Sequence, residues 1–288
     1  MDVRRRLMTD LPWLCGVGIT AYSAVIVATV GVGYDAHAYW LAARGPLYGA
    51  APNTPDAYLY SPAFTQAIWP LAQLPWPVFC AVWLGAAGIV FALLLRPLGW
   101  RRALPLWLCC TPEVVSGNVF WLFAVVVALG LRRPWLWAVP ALTKITPALG
   151  PVWFAVRREW SRLGISVLAT ALVGALSFAL DPAGWWAWIE FLRSNLGSTT
   201  SQVGGLFVPP VVRIPVAVAL VAWGAWRDRR WTIPVGMVLA NPVFGSTALV
   251  VLAGLPLLLR DRAPADPSDD PARSAGQAVA DRGDAGPS

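Results

Sequence analysis

Charge is scarce in this chain: Asp, Glu, Lys and Arg make up 13% of its 288 residues, against 57% hydrophobic side chains. An ordinary soluble domain carries about twice that charge, and several windows here exceed about eighteen residues with almost none. A soluble globular fold is therefore excluded, and an all-α polytopic membrane protein is expected. Lysine occurs once, as Lys144, and histidine once, as His37. The four cysteines (Cys15, Cys80, Cys109, Cys110) lie in apolar runs, without metal-ligand spacing or His partners, and read as small core residues. No internal repeat is visible, which counts against a transporter built from inverted repeats.

Tryptophan, by contrast, is abundant at 18 residues. Trp13, Trp40, Trp69, Trp76, Trp100, Trp107, Trp135, Trp160, Trp185, Trp186 and Trp231 flank apolar runs, where an amphipathic ring suits the headgroup layer. The net charge of +7 comes from short arginine clusters between apolar runs, not from a basic face. It reports topology, and no nucleic-acid partner is expected. Arg4 to Arg6 precede an apolar run longer than a signal-peptide core, so residues 1–10 read as a cytoplasmic N-terminus before an uncleaved first span.

Basic clusters at 4–6, 96–102, 132–133, 157–162, 227–230 and 260–262 mark cytoplasmic turns by the positive-inside rule. The membrane domain then spans 11–259, with a first crossing at 11–32, an outer loop at 33–61, a short helix over "SPAFTQAIWPLAQLP" and a return through 75–95. The stretches 103–131 and 134–156 are broken by "TPEVVSGN" and "LTKITP". Each allows one full crossing or a hairpin of short helices, and broken helices at membrane depth point to a cavity. Further spans fall at 162–180 and 206–226, around a second outer loop at 181–205. A last hairpin, 231–259, is broken at Asn241 and Pro242. The Pro, Asp, Ala and Gly rich segment 260–288 is expected to be a disordered cytoplasmic tail.

Subtracting the charges that topology explains leaves a short list. Asp35 stands in "GYDAHAYWLAARGPLYG", directly after the first span and among Tyr34, Tyr39 and Tyr48, which makes it the strongest acidic candidate. Asp56, in "APNTPDAY", reads as a solvated turn, Asp181 as a helix cap, and Glu113 as either a cap or a functional group. His37 would share a face with Asp35 in an extended strip, and otherwise reads as a hydrogen-bonding surface residue. Away from the clusters and the tail lie Arg44, Lys144, Arg193 and Arg213. A cation in hydrocarbon costs at least about 2.5 to 3.5 kcal/mol, so Lys144 and Arg213 call for an anionic partner or a polar cavity, or else snorkel to the surface. Intramembrane carboxylates are too few to neutralise both, whereas a lipid phosphate would do so. A carboxylate beside such cations suits transfer of a group from a lipid-linked phosphate to a hydroxyl.

Three segments carry a resemblance to a known family. They are "YDAHAYWLAARGPLYGAAPNTPDAYLYSPAFTQAIWPLAQLPWPVFCAVW", "SGNVFWLF" and "ALTKITPALGPVWFAVRREW". In their order, across roughly 11–162, they resemble the polyprenol-phosphate-mannose-dependent mannosyltransferases of glycosyltransferase family 87. That group includes actinobacterial enzymes of the cell envelope, and the Ala, Trp, Arg and Pro content suits such a source. The resemblance implies a C-type glycosyltransferase fold of about 8 to 10 membrane helices, some short or broken. It implies Asp35 as the catalytic base, with Tyr60, Ser61, Asn118 and Lys144 lining the cavity. Lys144 here is followed by Ile-Thr-Pro instead of directly by Pro, and Asn118 replaces the commoner Gln.

The expected activity is transfer of a sugar, mannose by the resemblance, from a polyprenyl-phosphate donor to a hydroxyl of an envelope glycolipid or glycan at the outer face of the plasma membrane. No metal, nucleotide sugar or other cofactor is expected. Asp35 is the expected catalytic residue, with Tyr34, His37, Tyr39, Arg44, Tyr60, Ser61, Glu113, Asn118, Lys144 and Arg213 for substrate. A lipid flippase or transporter, and an inactive accessory subunit of a larger transferase, are the alternatives.

Overall fold

The chain's first 28 described residues form one helix, α1 (Val3–Val30), whose apolar face is left almost wholly outside the protein. A computed structural model describes residues 3–52, 54–195, 208–241 and 246–260. All regular elements among them are helical. The tail beyond 260 and Pro242 lie outside the described residues.

Among the described residues three helices are long and apolar enough to cross a membrane: Asp10–Val30, Trp76–Leu98 and Trp160–Leu180. Phe120–Leu129, Pro210–Trp226 and Thr247–Arg260 are apolar but shorter. The first and third present rows of exposed apolar side chains, Leu14, Val17 and Val25 on one and Leu168, Leu172 and Leu176 on the other. Such continuous apolar surface is compatible with hydrocarbon around it.

After α1 come α2 (Tyr34–Ala42), α3 (Pro62–Ala72) and α4 (Trp76–Leu95). The segment 33–61, expected as an outer loop, therefore opens with a helix. Its reason is visible in retrospect: Asp35, Ala38, Tyr39 and Ala42 follow the i, i+3, i+4, i+7 spacing of one helical face. Ala38, Tyr39 and Ala42 on that face are buried. Gly33 adopts φ 73°, the left-handed turn that lets the chain leave α1 and restart as α2. Its N–H reaches Val115 O at 2.7 Å.

The stretch 103–131 is broken, as expected, into α5 (Trp100–Leu108), α6 (Thr111–Ser116) and α7 (Phe120–Leu129). The next becomes a 3-10 turn at Pro134–Trp137, α8 (Ala138–Thr143) and α9 (Gly150–Val156). Helices α10 (Trp160–Leu180) and α11 (Pro182–Asn195) follow. The expected second outer loop, 181–205, is thus helical over its first part, and 196–207 lies outside the described residues. Asp181 caps α11 by accepting the Gly184 N–H at 2.9 Å. Helices α12 (Pro210–Trp226) and α13 (Thr232–Ala240) pack on each other, with Gly224 against Thr232. Asn241 ends α13, and a 3-10 stretch, Ser246–Gly254, leads into α14 (Leu255–Arg260).

Residues Met1–Leu258 form one unit. Its core is aromatic, built on Phe79, Trp83, Phe91, Phe123, Trp137 and Phe154. Indole N–H groups close two breaks between short helices: Trp83 donates to Gly117 O at 2.8 Å and Trp137 to Gly130 O at 3.1 Å, satisfying carbonyls freed where helices end. Trp107 ties α5 to the middle of α4 by donating to Gly88 O at 2.8 Å. Of the cysteines, Cys80 and Cys110 are buried, but Cys15 is exposed on α1 and Cys109 is intermediate, so only the first two are core residues.

Candidate active site

A cavity of about 920 Å³ opens where α1 ends and α2 begins. Asp35, on the first turn of α2, faces it together with Tyr34, His37, Tyr39, Asp56, Tyr60, Asn118 and Lys144. Two further chain breaks bring these residues together. Gly117, at φ 72°, ends α6 and turns the chain so that Asn118 meets α2, and a Cβ there would stand 2.6 Å from that of Ala36. Lys144 ends α8, followed by Ile145 in the left-handed region at φ 56°.

Asn118 Nδ2 donates to Asp35 Oδ2 at 2.8 Å. The amide's orientation is fixed by its other end, where Oδ1 accepts the Val119 N–H at 2.8 Å and lies 3.5 Å from the Tyr60 hydroxyl. Tyr60 in turn shares a 3.0 Å hydrogen bond with Tyr39. A chain of polar contacts thus runs from the core to the carboxylate and holds it in one place. Burial raises the proton affinity of Asp35 above the ordinary carboxylate range, while the Asn118 hydrogen bond and the charge of Lys144 pull it back. The carboxyl is a base of strengthened affinity facing a cavity, with a cation acting on it.

Lys144 Nζ sits 4.2 Å from the centre of the Phe120 ring and 5.5 Å from that of Tyr60. Glu113 is fully buried behind this group: Oε1 accepts the Trp121 N–H at 3.2 Å and Oε2 has no hydrogen-bond partner. It does not line the cavity, and its charge acts on both Asp35 and Lys144. Lys144 therefore has carboxylate neighbours, Asp35 and Glu113, within the protein.

Three more expected substrate residues are placed otherwise. Arg213 is buried, and its guanidinium donates to Val208 O, Leu239 O and Asn241 O at 2.8 to 2.9 Å, tying the start of α12 to the end of α13. Arg44 lies over the Trp40 ring at 4.0 Å and donates to Trp40 O and Leu74 O, outside the main cavity. Ser61 is buried and donates to Leu142 O, fastening α3 to α8.

Asp56 stands in an exposed turn, as expected, and there also lines the cavity and bonds His37 Nδ1 through Oδ1 at 2.6 Å. Nothing local in "NTPDAY" signals a partner nineteen positions away. His37 and Asp35 leave α2 in directions about 160° apart, yet both line the cavity, which extends round the start of the helix.

A second, narrower cavity of about 180 Å³ shares Leu59, Tyr60 and Lys144 with the first. Its remaining wall is mainly apolar and includes Trp188, Phe191 and Leu192 of α11. Among the described residues no three His, Cys, Asp or Glu side chains group as a metal site would require.

No curated protein and no solved structure matches the chain significantly. The sequence profile of glycosyltransferase family 87 matches residues 58–268. That match takes in Tyr60, Ser61, Asn118 and Lys144 and continues well past the segments in which the resemblance was first seen, while the Asp35 strip precedes it. With well over half of its residues inside this match, and a polar cavity set among membrane helices, the chain belongs to glycosyltransferase family 87.

Proposed function

We propose that this membrane glycosyltransferase moves a sugar, mannose in the first instance, from a polyprenyl-phosphate donor to a hydroxyl of an envelope glycolipid or glycan, with Asp35 as the base. The observation that carries the reading is the placement of one buried-side carboxylate, held by Asn118, within the electrostatic reach of Lys144 in a single cavity. In the reaction the acceptor oxygen bonds to the anomeric carbon, and the bond from that carbon to the phosphate oxygen breaks. The polyprenyl phosphate leaves with the electron pair, its charge offset by Lys144, and the hydroxyl proton passes to Asp35. Attack in line with the leaving group inverts the anomeric carbon.

A lipid-linked donor is supported by the narrow apolar cavity that meets the polar one at Tyr60 and Lys144. An isoprenoid chain, a phosphate and a sugar would then occupy apolar slot, ammonium and polar cavity in turn. Cofactors are not required by this scheme.

Orientation follows from α4. Trp76 at its start lines the cavity and Arg96 lies just past its end, so cavity and basic cluster sit at opposite ends of a helix about 30 Å long. By the positive-inside rule the cavity faces out of the plasma membrane. In this reading the short helices pair across their breaks to complete a C-type fold of about 8 to 10 crossings. The family favours an enzyme over a flippase or an inactive accessory subunit. The test is transfer from radiolabelled polyprenyl-phosphate mannose to an actinobacterial lipid extract by purified protein in nanodiscs. A labelled glycolipid made by wild type and not by Asp35→Asn is expected; donor binding without transfer would instead favour the accessory role.

A further inference from the structure

The His37–Asp56 pair stands in the same cavity as Asp35, and the scheme above leaves it without a task. Its geometry is specific. The 2.6 Å contact commits Nδ1 of the imidazole to Asp56 Oδ1. The ring is stacked on Trp40 with centroids 5.7 Å apart, and meets Trp76 edge-on at 4.7 Å. Nε2 is the ring's remaining nitrogen, and among the described residues no hydrogen-bond partner takes it. Asp56 holds its position at φ 62°, a conformation unfavourable for a residue other than glycine. The side chains are 34% and 39% exposed, so the pair is reachable from the cavity.

A carboxylate on Nδ1 selects the tautomer with the proton there, which leaves Nε2 as an acceptor for a hydroxyl. Charge decides which substrate supplies that hydroxyl. Lys144 packs against Tyr60 and Phe120, His37 against Trp40 and Trp76, and the two share none of these neighbours. A donor phosphate is drawn to the ammonium and repelled by the Asp56 carboxylate. The His37 end is left to a neutral, hydroxyl-bearing group.

We propose that His37, oriented by Asp56, is a positioning residue for the acceptor: its Nε2 accepts a hydrogen bond from a hydroxyl of a glycoside headgroup and holds that headgroup with another hydroxyl toward Asp35. The proposal rests on Asp35 being the base, and names the chain's only histidine and Asp56 as the acceptor subsite.

The test uses full-length protein in nanodiscs, with octyl α-mannoside as acceptor probe and decaprenyl phosphate as donor-side probe, each titrated by calorimetry, and transfer kinetics run in parallel. Three variants separate substrate contact from wall support. His37→Phe keeps the aromatic packing and removes both nitrogens. His37→Asn keeps a donor for Asp56 and removes Nε2. His37→Gln restores an amide near the Nε2 position and gives up the Asp56 bond. Mannoside affinity, and acceptor KM with it, is expected to weaken about tenfold in His37→Phe and His37→Asn, to recover in part in His37→Gln, and decaprenyl phosphate binding to stay unchanged throughout. Wild-type mannoside affinity in His37→Asn would overturn the proposal, leaving only a clasp between α2 and the 54–57 segment, and so would the absence of mannoside binding by wild type. Asp35→Asn serves as the separate control: normal transfer by that variant removes the base assignment, whereas loss of transfer there with an unperturbed His37→Asn removes the acceptor subsite alone.

Discussion

Asp35 is asked to hold two properties that oppose each other, burial and charge. Burial raises its folded-state proton affinity above the value of about 3.9 for a free aspartate. In its proposed role as base it works only when deprotonated, so transfer should fall on the acid side at a pH above that value, and a pH–rate profile at saturating substrate measures where. The stability sign runs the other way. A carboxyl with a raised folded-state pKa favours folding at low pH, and that contribution is lost as pH rises through the folded pKa. Asp35→Asn should consequently be as stable at neutral pH as wild type, or more so, by thermal unfolding in nanodiscs. Lys144 is the complementary case. Replacing it with Gln removes the charge offered to the donor phosphate, and decaprenyl phosphate affinity should fall by about tenfold to a hundredfold, as expected for a charge-assisted bond of about 1.5 to 3 kcal/mol. Unchanged affinity would place the phosphate elsewhere.

Short helices and their breaks decide whether these side chains meet. Gly117 is the most exacting position, because it combines φ 72° with close approach to Ala36 and Leu84. Gly117→Ala should cost at least about 1 to 2 kcal/mol from backbone conformation alone, read as a lower melting temperature. It should also shift Asn118 from Asp35 and slow transfer even where the protein stays folded. Elements such as α4 and α10 were legible in the sequence because twenty apolar residues permit little else, and the breaks at "TPEVVSGN" and "LTKITP" were legible from Pro, Gly and Asn. Helix α2 was not. Its polar and aromatic side chains read as loop, and its helicity depends on a face buried by α3 and α4; α11 was legible only through its cap, Asp181, within a segment expected as an outer loop. The site divides in the same way. Asp35 stood out by position and Lys144 by rarity, and Tyr60 and Asn118 came from the family resemblance. The structural duties of Arg44, Ser61 and Arg213 depend on backbone carbonyls 26 to 81 positions away, and no local pattern encodes them.

At the scale of the helical unit, two of the basic turns come together. Arg157 bonds Glu159 at 2.8 Å and Asp228 at 3.2 Å, and Arg162 bonds Glu159 at 2.9 Å, so the turns before α10 and after α12 meet. Two basic clusters read separately as cytoplasmic are thus joined at one end, as a shared side of the membrane requires. The topology predicts that a cysteine introduced at Gly45 is labelled by an impermeant maleimide in intact cells, and one at Arg158 only after permeabilisation, in a background without the native cysteines. The reverse pattern would put the cavity in the cytoplasm. The most direct measurement remains transfer itself, with wild type and Asp35→Asn compared on the same polyprenyl-phosphate mannose and lipid acceptor. The account predicts that Asp35→Asn is folded, binds donor and loses at least about a hundredfold in rate; wild-type turnover by that variant would contradict it.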